Sequence, residues 1–339
     1  MTPEQQERVR ITTACTDADY IPKVDEGGRV VTDAPRPYQY LHNGLKVFLG
    51  CNFGEYNTRI KETMRGHHEP QEERVFHEIL KVMPSNAVMI ELGSYWAAYS
   101  MWFNREVEGA CNIMVEPCAD NLQCGKDHFA FNEMEGEFIQ GCIEAESKER
   151  VFFEYVGRSG YIPQIAIDDL ARDKGIEYID LLHSDIQGKE LPMLVGARRL
   201  LSEGRVGFLC ISTHSLRLHL ACLELIKKFG YDIIAEHTPW ESYSIDGLIA
   251  AAHPDKQFPE VLVSRRVTQA QQPRPPLTQK IASDMLKGRG YLSDCGQDFF
   301  IDRLFKPERP GVCVEVSPRA SLVNTRWFRE RRGWQARAV

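Results

Sequence analysis

Val88-Met-Ile-Glu-Leu-Gly-Ser-Tyr-Trp96 is a short apolar run that ends in an acid, a glycine and a small polar residue. That is the pattern of a buried strand delivering its carboxyl end to a turn. In an open α/β sheet, ligands lie beyond the carboxyl ends of the strands, and Gly93 lets the backbone come close to whatever binds there. The next apolar run, Asn112-Ile-Met-Val-Glu-Pro117, ends in a second acid. Its distance of roughly 20 residues is the one at which a carboxylate can grip ribose hydroxyls.

Working outward, the pattern predicts seven strands, at Ala87–Leu92, Cys111–Glu116, Glu137–Ile143, Tyr178–His183, Val206–Thr213, Tyr231–Glu236 and Leu248–His253. Amphipathic stretches between them, Asn121–Phe131, Glu190–Leu201 and Leu216–Phe229, read as crossover helices, with Gly230 placed as a helix C-cap. Strands alternating with helices imply an α/β fold with a mostly parallel sheet, helices on both faces and an antiparallel final hairpin. Upstream, Tyr38–Leu49 alternates around Asn43-Gly44, a tight-hairpin signal. Residues before about 36 are polar and Gly/Asp-rich, and they are expected to form a loosely attached arm with little core. The expected division is an N-terminal arm and hairpin cap over 1–66, a main domain over 67–266, a proline-rich linker over 267–279 and a short α/β extension over 280–339.

Composition narrows the function. A formal net charge of −7 provides no excess of cations to neutralise a phosphate backbone, so nucleic acid is not expected as a partner. The opening MTPEQQERVR has no apolar run of the signal-peptide kind, and no later stretch is long enough to span a bilayer. A cytoplasmic protein without membrane attachment is expected, with homo-oligomers left open. The ten cysteines include no C-x-x-C pair and read as reduced thiols, with no zinc site indicated.

A nicotinamide dinucleotide would require G-x-G-x-x-G so that a pyrophosphate can rest on a helix N-terminus. Those glycines are missing, and Tyr95 and Trp96 leave little room for a pyrophosphate. A nucleoside carrying a cationic sulfonium is served by acids and aromatic faces. Considered singly, Glu91 also suits a surface strand end, and Tyr95 and Trp96 suit core packing.

His68-Glu-Pro-Gln-Glu-Glu73, Glu91-Leu-Gly-Ser94, Val115-Glu-Pro117 and Leu182-His-Ser-Asp-Ile-Gln-Gly-Lys-Glu190 followed by Gly196-Ala197 together resemble the FkbM-type methyltransferases, over about residues 67–252. The resemblance implies a Rossmann-like class I methyltransferase fold and S-adenosylmethionine as cofactor, with the hydroxyl of a small molecule or sugar as acceptor. It also implies that Glu91, Gly93 and Ser94 border the methionine end of the cofactor with Tyr95 in the same turn, that Glu116 holds the ribose, and that Asp185 faces the reaction centre. The turn departs from the family at Tyr95-Trp96, where a small or acidic residue followed by Gly is usual. That departure favours the alternative of a non-catalytic binding module whose site has decayed.

Read from the residues, Tyr178–Asp185 is a buried strand with Asp185 at its carboxyl end, and Val206–Thr213 delivers His214 to the same edge. Adjacent strands lie about 5 Å apart, so Asp185 and His214 can share one proton or one substrate hydroxyl. His214 could instead cap the helix that starts at Leu216. His183, at even spacing from Asp185, is the reserve candidate for a base. These three could also ligate a divalent cation, but no spacing motif supports one, so the metal-free reading is preferred and no metal ligand is assigned. His68 or Glu69 could close over the pocket from the N-terminal side, and the loop Glu241–Gly247 could present hydroxyls to substrate. In the tail, Phe300 and Glu315 repeat Phe76 and Glu91 at one offset, resembling the opening of a second such domain. With Ser317-Pro318 in place of the glycine turn, the tail is expected to contribute no catalytic group.

Overall fold

The computed structural model describes residues 1–51, 53–155 and 158–266, and two short strands at 312–315 and 335–338. The N-terminal region is more ordered than its polar composition predicts. Helix α1 (Pro3–Thr12) starts with Pro3 at its first position and a capping box between Thr2 and Gln5. The Thr12 hydroxyl donates to the Tyr243 carbonyl at 2.7 Å, and buried Asp17 accepts from the Ser264 amide and hydroxyl at 2.7 and 2.6 Å. Cys15, Ala18 and Ile21 are buried as well. The expected loose arm is thus tied to the main domain by contacts more than 200 residues away in sequence, which no local pattern announces.

Strands β1 (Val30–Val31), β2 (Tyr38–Tyr40) and β3 (Lys46–Phe48) form a small antiparallel sheet. The β2–β3 hairpin turns at the expected Asn43-Gly44, with Gly44 at φ +82°. Helix α2 (Glu55–Thr63) follows, and its Tyr56 and Ile60 pack with Met64 and Val9.

The main domain then alternates as expected. Helix α3 (Pro70–Leu80) has Pro70 at its first position, and it precedes β4 (Val88–Leu92), α4 (Ala98–Glu106), β5 (Cys111–Glu116), α5 (Ala119–Phe131) and β6 (Glu137–Gln140). The predicted strand over Glu137–Ile143 divides here, because β7 (Cys142–Ile143) joins a separate three-stranded sheet with β8 (Lys148–Tyr155) and β9 (Arg158–Ile165). Helix α6 (Ile167–Lys174), β10 (Ile179–Ser184), α7 (Glu190–Gly196), α8 (Arg198–Ser202) and β11 (Val206–Thr213) come next. Helix α9 (Leu216–Lys228), β12 (Asp232–His237) and β13 (Gly247–Ala252) complete the unit. Gly230, at φ +83°, lies just past the end of α9 as expected.

Seven strands form one sheet in the order β12-β13-β11-β10-β4-β5-β6. The pairs β10–β11, β10–β4, β4–β5 and β5–β6 are parallel, whereas β13 is antiparallel to both β11 and β12. The chain reverses direction across the sheet between β4 and β10, so the crevice at their carboxyl ends is a topological switch point. All residues of β10, β11 and β13 are buried, which explains their near-continuous apolar sequences. Phe76 and Ile79 of α3 and Trp102 and Phe103 of α4 pack with Met89, Leu181, Phe208 and Cys210 of the strands. Alternate strand residues point to the other face, where α7 and α9 contact β11.

In the separate unit over residues 268–339, β14 (Val312–Glu315) pairs parallel with β15 (Gln335–Ala338). A strand thus lies where one was expected around Glu315. The proline-rich linker, Phe300 and Ser317-Pro318 lie outside the described residues.

Candidate active site

The turn after β4 is built around a close crossing. A Cβ on Gly93 would lie 1.8 Å from the Asp185 carbonyl oxygen, and its φ is +73°, so both space and backbone require glycine. The Gly93 and Ser94 amides both donate to the Val115 carbonyl, at 2.8 and 3.2 Å, which locks the turn to the end of β5. Tyr95 and Ala97 adopt φ +42° and +59°, a left-handed conformation that costs a side-chain-bearing residue roughly 1–2 kcal/mol. Tyr95 is held there by its amide, which donates to Glu116 Oε2 at 3.1 Å, and by its hydroxyl, which accepts from the Phe53 amide at 3.2 Å. The Tyr95 ring meets Phe53 edge-on at 4.9 Å. Trp96 is buried, as its core-packing reading expected.

Glu116 brackets two loops. Its Oε1 also accepts from the Cys118 amide at 2.9 Å and from Asn121 Nδ2 at 3.3 Å. A carboxylate offers about four lone-pair positions, so roughly one remains for a ligand. Burial pushes this carboxyl up, opposed by the three hydrogen bonds it accepts. Glu91 turns inward, where its Oε2 accepts from the Ser100 amide in the first turn of α4 at 3.1 Å, and burial pushes it up to about 7. Ser94 is 3% exposed, and its hydroxyl has no hydrogen-bond partner among the described residues.

Asp185 and His214 meet as the neighbouring strand ends imply. His214 Nε2 lies 3.0 Å from Asp185 Oδ1 and 3.4 Å from Asp246 Oδ1, while its Nδ1 donates to Glu190 Oε1 at 2.7 Å. Glu190 is fully buried and also accepts from the Gly188 amide at 2.9 Å. Ser215, not His214, caps α9, accepting from the Leu218 amide at 3.2 Å. Burial alone would lower the imidazole, but the Asp185, Glu190 and Asp246 carboxylates around the ring outweigh it and push it up to about 11. His214 is therefore an imidazolium at neutral pH. Burial pushes Asp246 up to about 6 and Glu69 up to about 7, and the nearby negative charge of Asp185 adds to the rise in both.

His183 does not join this pair. It is 2% exposed, with Nε2 at 2.7 Å from Glu72 Oε1 and its ring 4.3 Å from Tyr99. Ser212 donates to the other oxygen of Glu72 at 2.7 Å, so His183 belongs to a buried network beneath the crevice. His68 contacts Glu73 at 2.7 Å and Trp96 edge-on at 4.9 Å, and the Glu69 carboxylate accepts from the Tyr99 hydroxyl at 3.1 Å.

Among the described residues, two groups of three could bring ligand atoms within 4.8 Å of one another, His42–His67–Glu73 and Glu72–His183–Cys210. Neither contains Asp185 or His214. The His42 and His67 rings are stacked at 4.1 Å, so their lone pairs run side by side and do not converge.

Glu190 and Asp246 were not among the predicted site residues, whereas Glu69 was expected to close over the pocket. Glu190 ends the same stretch as Asp185, and Asp246 sits in the loop singled out for its hydroxyls, so proximity in sequence was the available signal.

Residues 11–233 match the methyltransferase FkbM domain family. No curated protein matches the chain. Among solved structures, a precorrin-6y C5,15-methyltransferase from Geobacter metallireducens is 15% identical, covering 53% of this chain and 87% of its own, with a TM-score of 0.36. A putative SAM-dependent methyltransferase from Streptococcus mutans is 13% identical over 65% of this chain and 56% of its own, with a TM-score of 0.41. The O-methyltransferase from Bacillus cereus in complex with SAH is 12% identical over 54% of this chain and 78% of its own, with a TM-score of 0.34.

Proposed function

The chain belongs to the FkbM methyltransferase family, and from that premise we propose that it methylates a hydroxyl of a small molecule or sugar at the Asp185–His214 edge of the sheet. The observation that carries this reading is the Glu190–His214–Asp185 alignment at two adjacent strand ends. S-adenosylmethionine supplies an electrophilic methyl group when bound.

The residues of the β4 turn fit that cofactor. Among the described residues the Ser94 hydroxyl is buried without a partner, and Glu116 retains an acceptor position at the end of β5. These groups and the Tyr95 backbone would hold it. The acidic rim of Glu69, Asp185 and Asp246 suits a cationic ligand and repels a phosphate backbone.

Asp185 takes the proton from the acceptor hydroxyl. His214 is not the base, because an imidazolium held between carboxylates has no free lone pair. Glu190 fixes the orientation of its ring. Such base assistance contributes about 10²–10⁴-fold, and alignment of the two reactants up to about 7–11 kcal/mol. The test is transfer of labelled methyl from S-adenosylmethionine to a panel of hydroxylated small molecules, with the site of methylation read by NMR. O-methylation that falls at least about 100-fold in Asp185→Asn is expected. Methylation at nitrogen or carbon, or a fully active Asp185→Asn, would overturn the reading.

A further inference from the structure

Cys51 lies just after β3 and Cys124 in the second turn of α5, and neither has a part in the chemistry above. Cys51 is 9% exposed and Cys124 is half-buried. Arg36 Nη2 donates to the Cys51 sulfur at 3.3 Å. The guanidinium is fixed, since its Nη1 is 2.6 Å from Asp127 Oδ2 and its plane lies 3.7 Å over the Phe48 ring. The Cys124 thiol donates to the Cys51 carbonyl at 3.9 Å, and Cys124 is the side chain that acts most strongly on the Cys51 thiol. His128 also borders Cys51, but its Nε2 accepts from the Phe48 amide at 2.9 Å and its Nδ1 donates to the Trp96 carbonyl at 3.0 Å. Arg36 is the permanently charged group that donates to the sulfur.

We propose that Cys51 and Cys124 are a thiol pair that hydrogen peroxide converts to a disulfide, joining the loop after β3 to α5. A thiolate beside a cation and a second thiol is the arrangement of reactive cysteines. Cys124, with His128 and then Arg36 beside it, holds the Cys51 thiol well below the ordinary range against the upward push of burial. The Cys51 thiolate attacks one peroxide oxygen and expels hydroxide, forming a sulfenic acid. Cys124 then attacks that sulfur, expelling a second hydroxide, and the two thiol protons complete two waters. The peroxide is reduced and the two thiols are oxidised, so atoms and electrons balance. The loop so tethered carries Phe53, whose amide and ring support Tyr95 in the turn after β4. The modification therefore fixes the outer support of that turn.

Peptide mapping of the reduced full chain after brief exposure to hydrogen peroxide tests the pair. A Cys51–Cys124 cross-link is expected to form at least about tenfold faster than oxidation of exposed Cys111, the internal control. Cys124→Ser should stop at a sulfenic acid on Cys51 that dimedone traps, and Arg36→Met should slow the reaction about tenfold. Wild-type mapping decides the matter even where a variant fails to fold. Cys51 left alkylatable while Cys111 oxidises, Cys51 driven to sulfinic acid without a cross-link, or cross-links through other cysteines would each overturn the proposal.

Discussion

Replacing Asp185 with Asn removes one charge 3.0 Å from His214 Nε2 while preserving side-chain shape. With an effective dielectric constant of about 20, such a pair is worth roughly 5 kcal/mol, and about 3 kcal/mol when Asp185's partial exposure raises the effective constant toward 40. Either figure lowers the proton affinity of His214 by two to four decades, at about 1.4 kcal/mol each. Asp246 and Glu190 remain beside the ring, so the imidazole stays above a free histidine but becomes titratable in an accessible pH range. The assay is a pH titration of the His214 ring carbon and proton signals by NMR, in parent and variant. In the parent, the ring should stay protonated through pH 9. A parent His214 that titrates near 6.5, or an Asp185→Asn ring that titrates with the parent, would refute the ion-pair reasoning and with it the choice of Asp185 as base.

Four further outcomes are expected. Gly93→Ala places a Cβ 1.8 Å from the Asp185 carbonyl at φ +73°, so it should cost more than about 3 kcal/mol in denaturant unfolding, and an unchanged midpoint would contradict the close crossing. Glu116→Ala should weaken S-adenosylmethionine binding in calorimetry by about 1.5–3 kcal/mol, partly through release of the Tyr95 turn; unchanged affinity in a folded variant would remove Glu116 from the site. Because His214 is raised in the folded state, its ion pairs stabilise fully below the unfolded value of ~6.5, and this stabilisation disappears as pH rises through about 11. The melting-temperature gap between parent and His214→Gln should therefore narrow across that window, and a gap that stays constant would contradict the assignment. A chain ending at Arg266 should retain cofactor binding, since every proposed site residue precedes it, and loss of binding in a folded truncation would show that the tail completes the site.

Much of the sheet was legible because its central strands are buried on both faces, and so their sequences are apolar without alternation. The hairpin at Asn43-Gly44 and the end of α9 at Gly230 were legible because only a few residues accept positive φ. The placement of β13 between β11 and β12 was not, since strand order depends on contacts that local patterns do not encode. The β8–β9 hairpin escaped because its strands carry charged and aromatic residues on an open face, with Phe152 and Tyr161 both more than half exposed. Helix α1 escaped because its sequence is mostly polar and its anchors, Thr12 to Tyr243 and Asp17 to Ser264, are remote.

The site divides in the same way. Asp185 and His214 could be paired from strand adjacency alone. Glu190 and Asp246 depend on how the loops fold back, with Gln187 and Gly188 both at positive φ, so their approach to His214 needed coordinates. His183 illustrates the limit of side-chain alternation. Its spacing placed it on the face of Asp185, but Glu72 from α3 reaches across to claim it.

A crystal structure of the chain with S-adenosylhomocysteine tests the proposed site most directly. The expected result has the ribose within hydrogen-bond reach of Glu116, the amino-acid end against Gly93 and Ser94, and the sulfur facing an opening bounded by Asp185 and His214. A ligand bound elsewhere, or one whose sulfur points away from Asp185, would contradict it.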